Sequence, residues 1–144
     1  LHVRSRRQRQ MCIRDSPITM MPLDVTHKAL TTERRTEAFR ALGNRTGIAV
    51  AKMLEFFERF DEAKYGSDGA PLHDPCTIAW LIDPKMFVGR YCNVEIETSS
   101  ELTMGMTVID WWRVTNRPEN ALVMGDLDAD RFFALIAERL ARLP

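Results

Sequence analysis

The chain has 144 residues and a mass of 16.6 kDa, with 45% hydrophobic and 28% charged residues, the size and mix of one ordinary globular domain. No apolar run approaches the roughly 18 residues that a membrane span needs, and the h-region of a secretory signal is absent. The three cysteines, Cys12, Cys76 and Cys92, have no C-x-x-C spacing and cannot all pair, which excludes a disulfide framework and a zinc ribbon and leaves reduced thiols in a cytoplasmic protein as the expectation.

A formal net charge of zero averages two unlike segments. Residues 1–16 carry five arginines (Arg4, Arg6, Arg7, Arg9 and Arg14) against Asp15, while the remainder holds 15 basic and 19 acidic residues. Beyond the leader there is no footprint for nucleic acid. The leader reads LHVRSRRQRQMCIRDS, has neither helical nor strand period, and looks foreign to the rest of the chain. QRQMCIRDS resembles the translated sequencing-adapter read-through found at the ends of fragmentary gene models, a scar to be set aside from fold reasoning. The other readings are a basic arm for nucleic acid or anionic lipid, and a disordered tail. On the first reading, residues 1–16 are non-native and the domain begins near Pro17 without its N-terminal part.

From Pro17 onward the pattern is one continuous domain. Ile18 to Leu23 is a short, nearly all-apolar run that suits a parallel-sheet strand buried on both faces. A polar turn comes next, and Thr31 or Thr32 caps a helix through about Leu42, with Glu33 in its first turn and Gly43 as its stop. Asn44 or Thr46 caps a second helix to about Lys64, on which Val50, Met53, Leu54, Phe57 and Phe60 share one face; Tyr65-Gly66 ends it. A Gly-rich loop, Gly66 to Leu72, delivers the chain to His73-Asp74-Pro75. Cys76 to Ile82 is then read as a small buried helix with Asp74 as N-cap and Pro75 in its first position. The period changes to two in Val94 to Thr98 and again in Met104 to Val108, with Ser99-Ser100-Glu101 as the hairpin turn. Ala121 to Met124 is a third short strand, and Asp128 caps a last helix with Phe132, Phe133, Ile136 and Leu140 on its apolar face. The expected order, β-α-α-α-β-β-β-α, is an α/β layout with an antiparallel element.

Four segments are candidates for chemistry. His73-Asp74 places an imidazole and a carboxylate after a loop and at a helix start, where side chains reach a cleft; Asp-Pro is equally a plain N-cap followed by N1. Asp24-Val25-Thr26-His27 follows the first strand at the edge where open α/β sheets bind ligands, and reads otherwise as a polar turn. Trp111-Trp112 is either a base-stacking platform or rim packing. Asp126, Asp128 and Asp130 alternate like cation ligands but lack the glycine and distal glutamate of a calcium loop, so they read as capping acids.

Taken in order, Met21-Pro22-Leu23-Asp24-Val25-Thr26-His27-Lys28-Ala29-Leu30, Tyr65-Gly66, Gly69, Pro71-Leu72-His73-Asp74-Pro75-Cys76, Val94-Glu95-Ile96-Glu97-Thr98 and Gly105-Met106-Thr107-Val108-Ile109-Asp110 resemble the C-terminal part of the inosine/uridine-preferring nucleoside hydrolases. The resemblance spans essentially all of residues 17–144. It implies a Rossmann-like α/β fold with a mixed sheet and an antiparallel hairpin, a ribonucleoside substrate cleaved to base and ribose, a bound calcium ion, and a homo-oligomer in the full-length parent. Breaking the N-glycosidic bond builds oxocarbenium character on ribose and negative charge on the leaving base, so such a site needs an activated water, ribose anchors and a proton for the base. By the same resemblance His73 is the acid that protonates the base, and Asp74 is a calcium ligand. The region before His73, including Phe60 and Tyr65, corresponds to the part that closes over the base, and Asp24 to His27 lies near the cleft.

The family's N-terminal D-x-D-x-x-x-D-D segment, which supplies the other calcium aspartates and the general base, has no counterpart in these residues. Neither do the ribose-binding Asn and Glu residues that precede the P-L-D strand. One carboxylate does not hold calcium, which takes about six to eight oxygens. The chain alone is therefore expected to be inactive. Ile18 to Leu23, without a sheet neighbour, is expected to expose an apolar edge and promote self-association. The alternative to a piece of a hydrolase is a non-catalytic remnant or interaction module with a basic N-terminal arm. An unrelated metal hydrolase built on His73 requires further ligands that the sequence does not offer.

Overall fold

The computed structural model describes residues 17–65 and 69–144, with backbone alone for residues 58–65. The basic leader and residues 66–68 lie outside the described residues. In chain order the elements are β1 (Thr19–Met20), α1 (Leu23–Thr26), β2 (Leu30–Thr31), α2 (Glu33–Arg40), α3 (Arg45–Tyr65) and β3 (Ala70–Pro71). They continue with α4 (Pro75–Ile82), a 3-10 turn (Pro84–Met86), β4 (Phe87–Cys92), β5 (Val94–Ile96), β6 (Thr107–Ile109), β7 (Ala121–Leu127) and α5 (Ala129–Leu140). The fold is mixed α/β, with parallel and antiparallel strands. Two compact units divide it, residues 17–20 with 89–124 and residues 21–88 with 125–144.

In the first unit, β1 runs parallel to β7, with Thr19 opposite Leu122 and Met20 opposite Val123, and Leu122 N–H donates to the Ile18 carbonyl. The strand expected over Ile18 to Leu23 is thus only two residues long, and it is half-buried rather than buried on both faces. Pro22 is the cause. It has no N–H for a ladder, and its carbonyl accepts from Val25 and Thr26, which starts α1 at once. The expected missing neighbour is also corrected, because β7 pairs with β1 and β4 comes next in the strand order β1-β7-β4. β4 was not expected from the sequence: in Phe87–Cys92 only the two end residues are buried, so no alternation marks it. Gly89 is needed there, since a Cβ would stand 2.6 Å from the Val123 carbonyl oxygen.

β5 and β6 form the expected antiparallel hairpin, Val94 opposite Ile109 and Ile96 opposite Thr107. Its connection is longer than the three residues expected. The Glu97 carboxylate gathers Ser99 N–H, the Ser99 hydroxyl and Ser100 N–H, and Gly105 closes the loop at φ +85°. Cys92, Val94, Ala121 and Val123 make the buried centre of this unit, with Ile18, Met20, Ile109 and Trp111 packed on it. Trp111 is rim packing. Arg90 lies over both tryptophans, and Trp112 is 78% exposed.

The second unit is mainly helical. Thr32 stands at the N-cap of α2, although its side chain makes no cap bond, and Gly43 lies just past the helix at φ +71°. Asn44 caps α3 by accepting from Gly47 N–H at 2.8 Å, and its amide donates to the carbonyls of Leu140 and Leu143 at the end of α5 and beyond it. α2 and α3 pack so closely that a Cβ on Gly47 would lie 2.5 Å from the Phe39 carbonyl oxygen. The face expected to bury α3 does not do so: Ala51 is buried, whereas Met53 and Phe57 are exposed. Phe60 lies outside the described side chains. α4 also departs from expectation, burying Cys76 and Ala79 while Ile78, Leu81 and Ile82 face solvent. Asp128 caps α5 through Arg131 N–H, and Phe132 and Phe133 bury its apolar face, with Phe133 against Phe39.

Candidate active site

The segment expected to be a loop before His73 contains a strand. β3 pairs antiparallel with β2, Leu30 opposite Pro71 and Thr31 opposite Ala70, and Leu72 N–H donates to the Ala29 carbonyl at 2.9 Å. Gly69 enables the pairing: its φ is +112°, and a Cβ would lie 2.7 Å from the Thr31 carbonyl oxygen. The Thr31 hydroxyl also donates to the Ala70 carbonyl. As the two chains continue past this register, residue 73 meets the turn of helix at 23–27.

There the Thr26 hydroxyl lies 2.7 Å from His73 Nδ1, and the His27 and His73 rings lie 5.5 Å apart, tilted by 52°. Thr26 is only 2% exposed, and its hydroxyl also reaches the Leu23 carbonyl at 3.5 Å. Two of the four segments singled out in the sequence are therefore one site. Thr26, the residue that joins them, carries no local signal of its role, because its partner is 47 positions away. Lys28 anchors the same turn, donating to the Gly125 carbonyl and the Asp126 carboxylate.

Asp74 occupies the N-cap position of α4, with Pro75 next, but its carboxylate makes no cap hydrogen bond. The Asp74 carbonyl takes that part, accepting from Thr77 N–H and the Thr77 hydroxyl. The carboxylate thus stands beside His73 without being used by the helix. Cys76 is no nucleophile: burial pushes its thiol up to about 11, and Sγ donates to the Leu72 carbonyl.

His73 and Asp74 line a cavity of about 610 Å³ whose other wall is α3, through Met53, Phe56 and Phe57. Met53 and Phe57 have the helical spacing of a core face, which is how the sequence reads; the exposure of all three side chains marks them as cavity wall. Phe60 and Tyr65, the two aromatic positions taken from the resemblance, lie outside the described side chains.

The described residues do not fit a calcium ion by themselves. Among them no group of three or more His, Cys, Asp or Glu side chains is placed to hold a metal, and Asp74 falls short of calcium's about six to eight oxygens. The alternating acids at the end of β7 and the start of α5 serve other partners: Asp126 pairs with Lys28, Asp128 caps α5, and Asp130 pairs with Arg35. Among the described residues no helix is long and apolar enough to cross a membrane.

A mixed α/β fold that holds an imidazole by a buried hydroxyl at the wall of a cavity is a domain of the α/β class with a candidate site at that cavity. The sequence profile of the inosine-uridine preferring nucleoside hydrolases matches residues 9–134, and the chain belongs to that family. The pyrimidine-specific ribonucleoside hydrolase RihA of Shewanella sp. strain MR-7 is 48% identical over 126 residues, covering 87% of this chain and 40% of the relative. RihA of Escherichia coli O7:K1 is 49% identical over 125 residues, covering 86% and 40%. Among solved structures, the purine-preferring ribonucleoside hydrolase from Gardnerella vaginalis superposes with a TM-score of 0.75 at 29% identity, over 89% of this chain and 40% of that one. The chain thus spans about 40% of the length of these relatives.

Proposed function

We propose that the whole protein carrying this segment is a ribonucleoside hydrolase that splits nucleoside and water into base and ribose. The observation that carries this reading is His73, anchored at Nδ1 by Thr26 and lining a cavity with an apolar wall; the acid role itself is taken from the sequence resemblance. With Nδ1 engaged, Nε2 at the opposite edge of the ring is the nitrogen for the leaving base. A proton delivered there prevents the base from departing as an anion. Met53, Phe56 and Phe57 offer an apolar surface on which a planar base can lie.

Pyrimidine ribonucleosides are the first substrate class under this reading, supported by the names of relatives at 48% and 49% identity. Asp74 is proposed as one oxygen of a calcium shell completed elsewhere in the whole protein. Described cysteines that are free and buried suit a reducing compartment such as the cytoplasm. Assembly as a homo-oligomer is proposed from the resemblance alone.

The test is direct. The whole protein, incubated with uridine, cytidine and inosine, is expected to release free base and reducing ribose in equal amounts, faster from the pyrimidines, and to stop when EGTA removes calcium. Absence of base release from all three nucleosides would favour the reading as a non-catalytic interaction module.

A further inference from the structure

We infer that Thr26 is a positioning residue for the proton transfer, holding His73 by Nδ1 so that Nε2 alone exchanges a proton with the leaving base. The inference rests on the proposed acid role of His73. It is drawn from a contact between two segments that the sequence leaves 47 positions apart. Three observations carry it. The separation of 2.7 Å is that of a full hydrogen bond. Thr26 is 2% exposed, so water does not replace it. The Leu23 carbonyl stands 3.5 Å from the same hydroxyl, on the preceding turn.

A hydroxyl is both donor and acceptor, which suits an imidazole that changes its charge. When His73 is an imidazolium, its Nδ1–H donates to Thr26 Oγ1, and the threonine hydrogen turns to the Leu23 carbonyl. In the transfer the Nε2–H bond breaks and a bond from that hydrogen to a nitrogen or oxygen of the base forms. The electron pair of the glycosidic C–N bond goes to the base, and His73 is left neutral with Nδ1–H still on Thr26. Solvent returns the proton to Nε2. A valine in this place has nearly the same shape but offers Nδ1 nothing, so the ring loses the hydrogen bond that orients it.

The experiment compares wild type, Thr26→Val and Thr26→Ser in the whole protein, on uridine and on p-nitrophenyl riboside, whose leaving group needs no proton. Thr26→Val is expected to lower kcat for uridine about 10- to 100-fold with little change in KM, and to lower p-nitrophenyl riboside turnover less than about threefold. Thr26→Ser, which keeps the hydroxyl, is expected to stay within about threefold of wild type on both substrates. Equal losses on both substrates, unchanged uridine turnover in Thr26→Val, or a serine variant as impaired as the valine one would overturn the inference. A second readout does not depend on turnover: long-range ¹H–¹⁵N correlation spectra of the His73 ring are expected to show a hydrogen-bonded Nδ1 in wild type and Thr26→Ser and an altered Nδ1 signal in Thr26→Val. Identical His73 spectra in wild type and Thr26→Val would overturn it as well. Should His73→Ala itself fail to separate the two substrates, the acid reading falls, and the ring spectra still decide whether Thr26 fixes His73.

Discussion

In the unit that holds residues 89–124, Glu97 gives its carboxylate to Ser99 and Ser100, and Asp110 gives its own to Val114 and Thr115, all within five positions of sequence. In the other unit, Thr26 and His73 meet across 47 positions. The first kind of bonding is turn chemistry, in which a carboxylate satisfies backbone N–H groups and has little capacity left for a ligand. The second kind fixes one nitrogen of an imidazole that also lines a cavity. Polar side chains that bond locally shape the backbone; the pair brought together by the fold marks where chemistry is proposed.

Three measurements sharpen or break this contrast. The largest effect is expected in the core that supports the site. Phe132 is fully buried and packs edge-on to Phe133, so Phe132→Ala is expected to destabilise the fold by about 3–5 kcal/mol, read from urea or thermal unfolding. A loss under about 1 kcal/mol would mean that α5 does not anchor this unit.

The Thr26→Val loss of about 10- to 100-fold on uridine comes next and bears on the long-range pair itself.

The smallest effect belongs to the hairpin. The hydrogen bonds from Ser99 and Ser100 hold the Glu97 carboxyl at about 2, well below the usual glutamate range. A depressed acid stabilises the fold above its unfolded pKa and loses that contribution as pH falls through its folded value. Protection of the Ser99 and Ser100 amides, measured as exchange relative to the intrinsic rate of an unstructured chain at the same pH, is therefore expected to be full at neutral pH and to fall as pH drops from about 4 toward 2, with Glu97→Gln showing the reduced protection already at neutral pH. An unchanged exchange pattern in Glu97→Gln would remove the carboxylate from the turn. In neither case is His73 expected to change.

Local signals read correctly in the sequence because their partners are near. Gly43 after α2, Asn44, one of the two cap candidates before α3, and Asp128 before α5 lie at the helix ends they were assigned, and the cap bonds of Asn44 and Asp128 reach three residues along the chain. The alternating runs indicated the β5–β6 hairpin, although β6 is Thr107–Ile109 and the first three residues of the run Met104 to Val108 belong to the connection. Other features depend on what covers a surface, and periodicity does not report that. Met53 and Phe57 have core spacing yet stand exposed on the cavity, and the ends-only burial of β4 leaves no period to find. For the site, His73 and Asp74 stood out as adjacent chemical groups. That the Asp74 carboxylate is not used in capping, and that Thr26 holds His73, required the β2–β3 pairing that sets residues 72 and 29 side by side.

The central claim is that His73 supplies the proton to the base. The measurement that tests it most directly is kcat/KM of His73→Ala in the whole protein on uridine and on p-nitrophenyl riboside. The account predicts a loss of roughly 100-fold or more on uridine and a much smaller one on the nitrophenyl substrate. Equal losses on both substrates would contradict it.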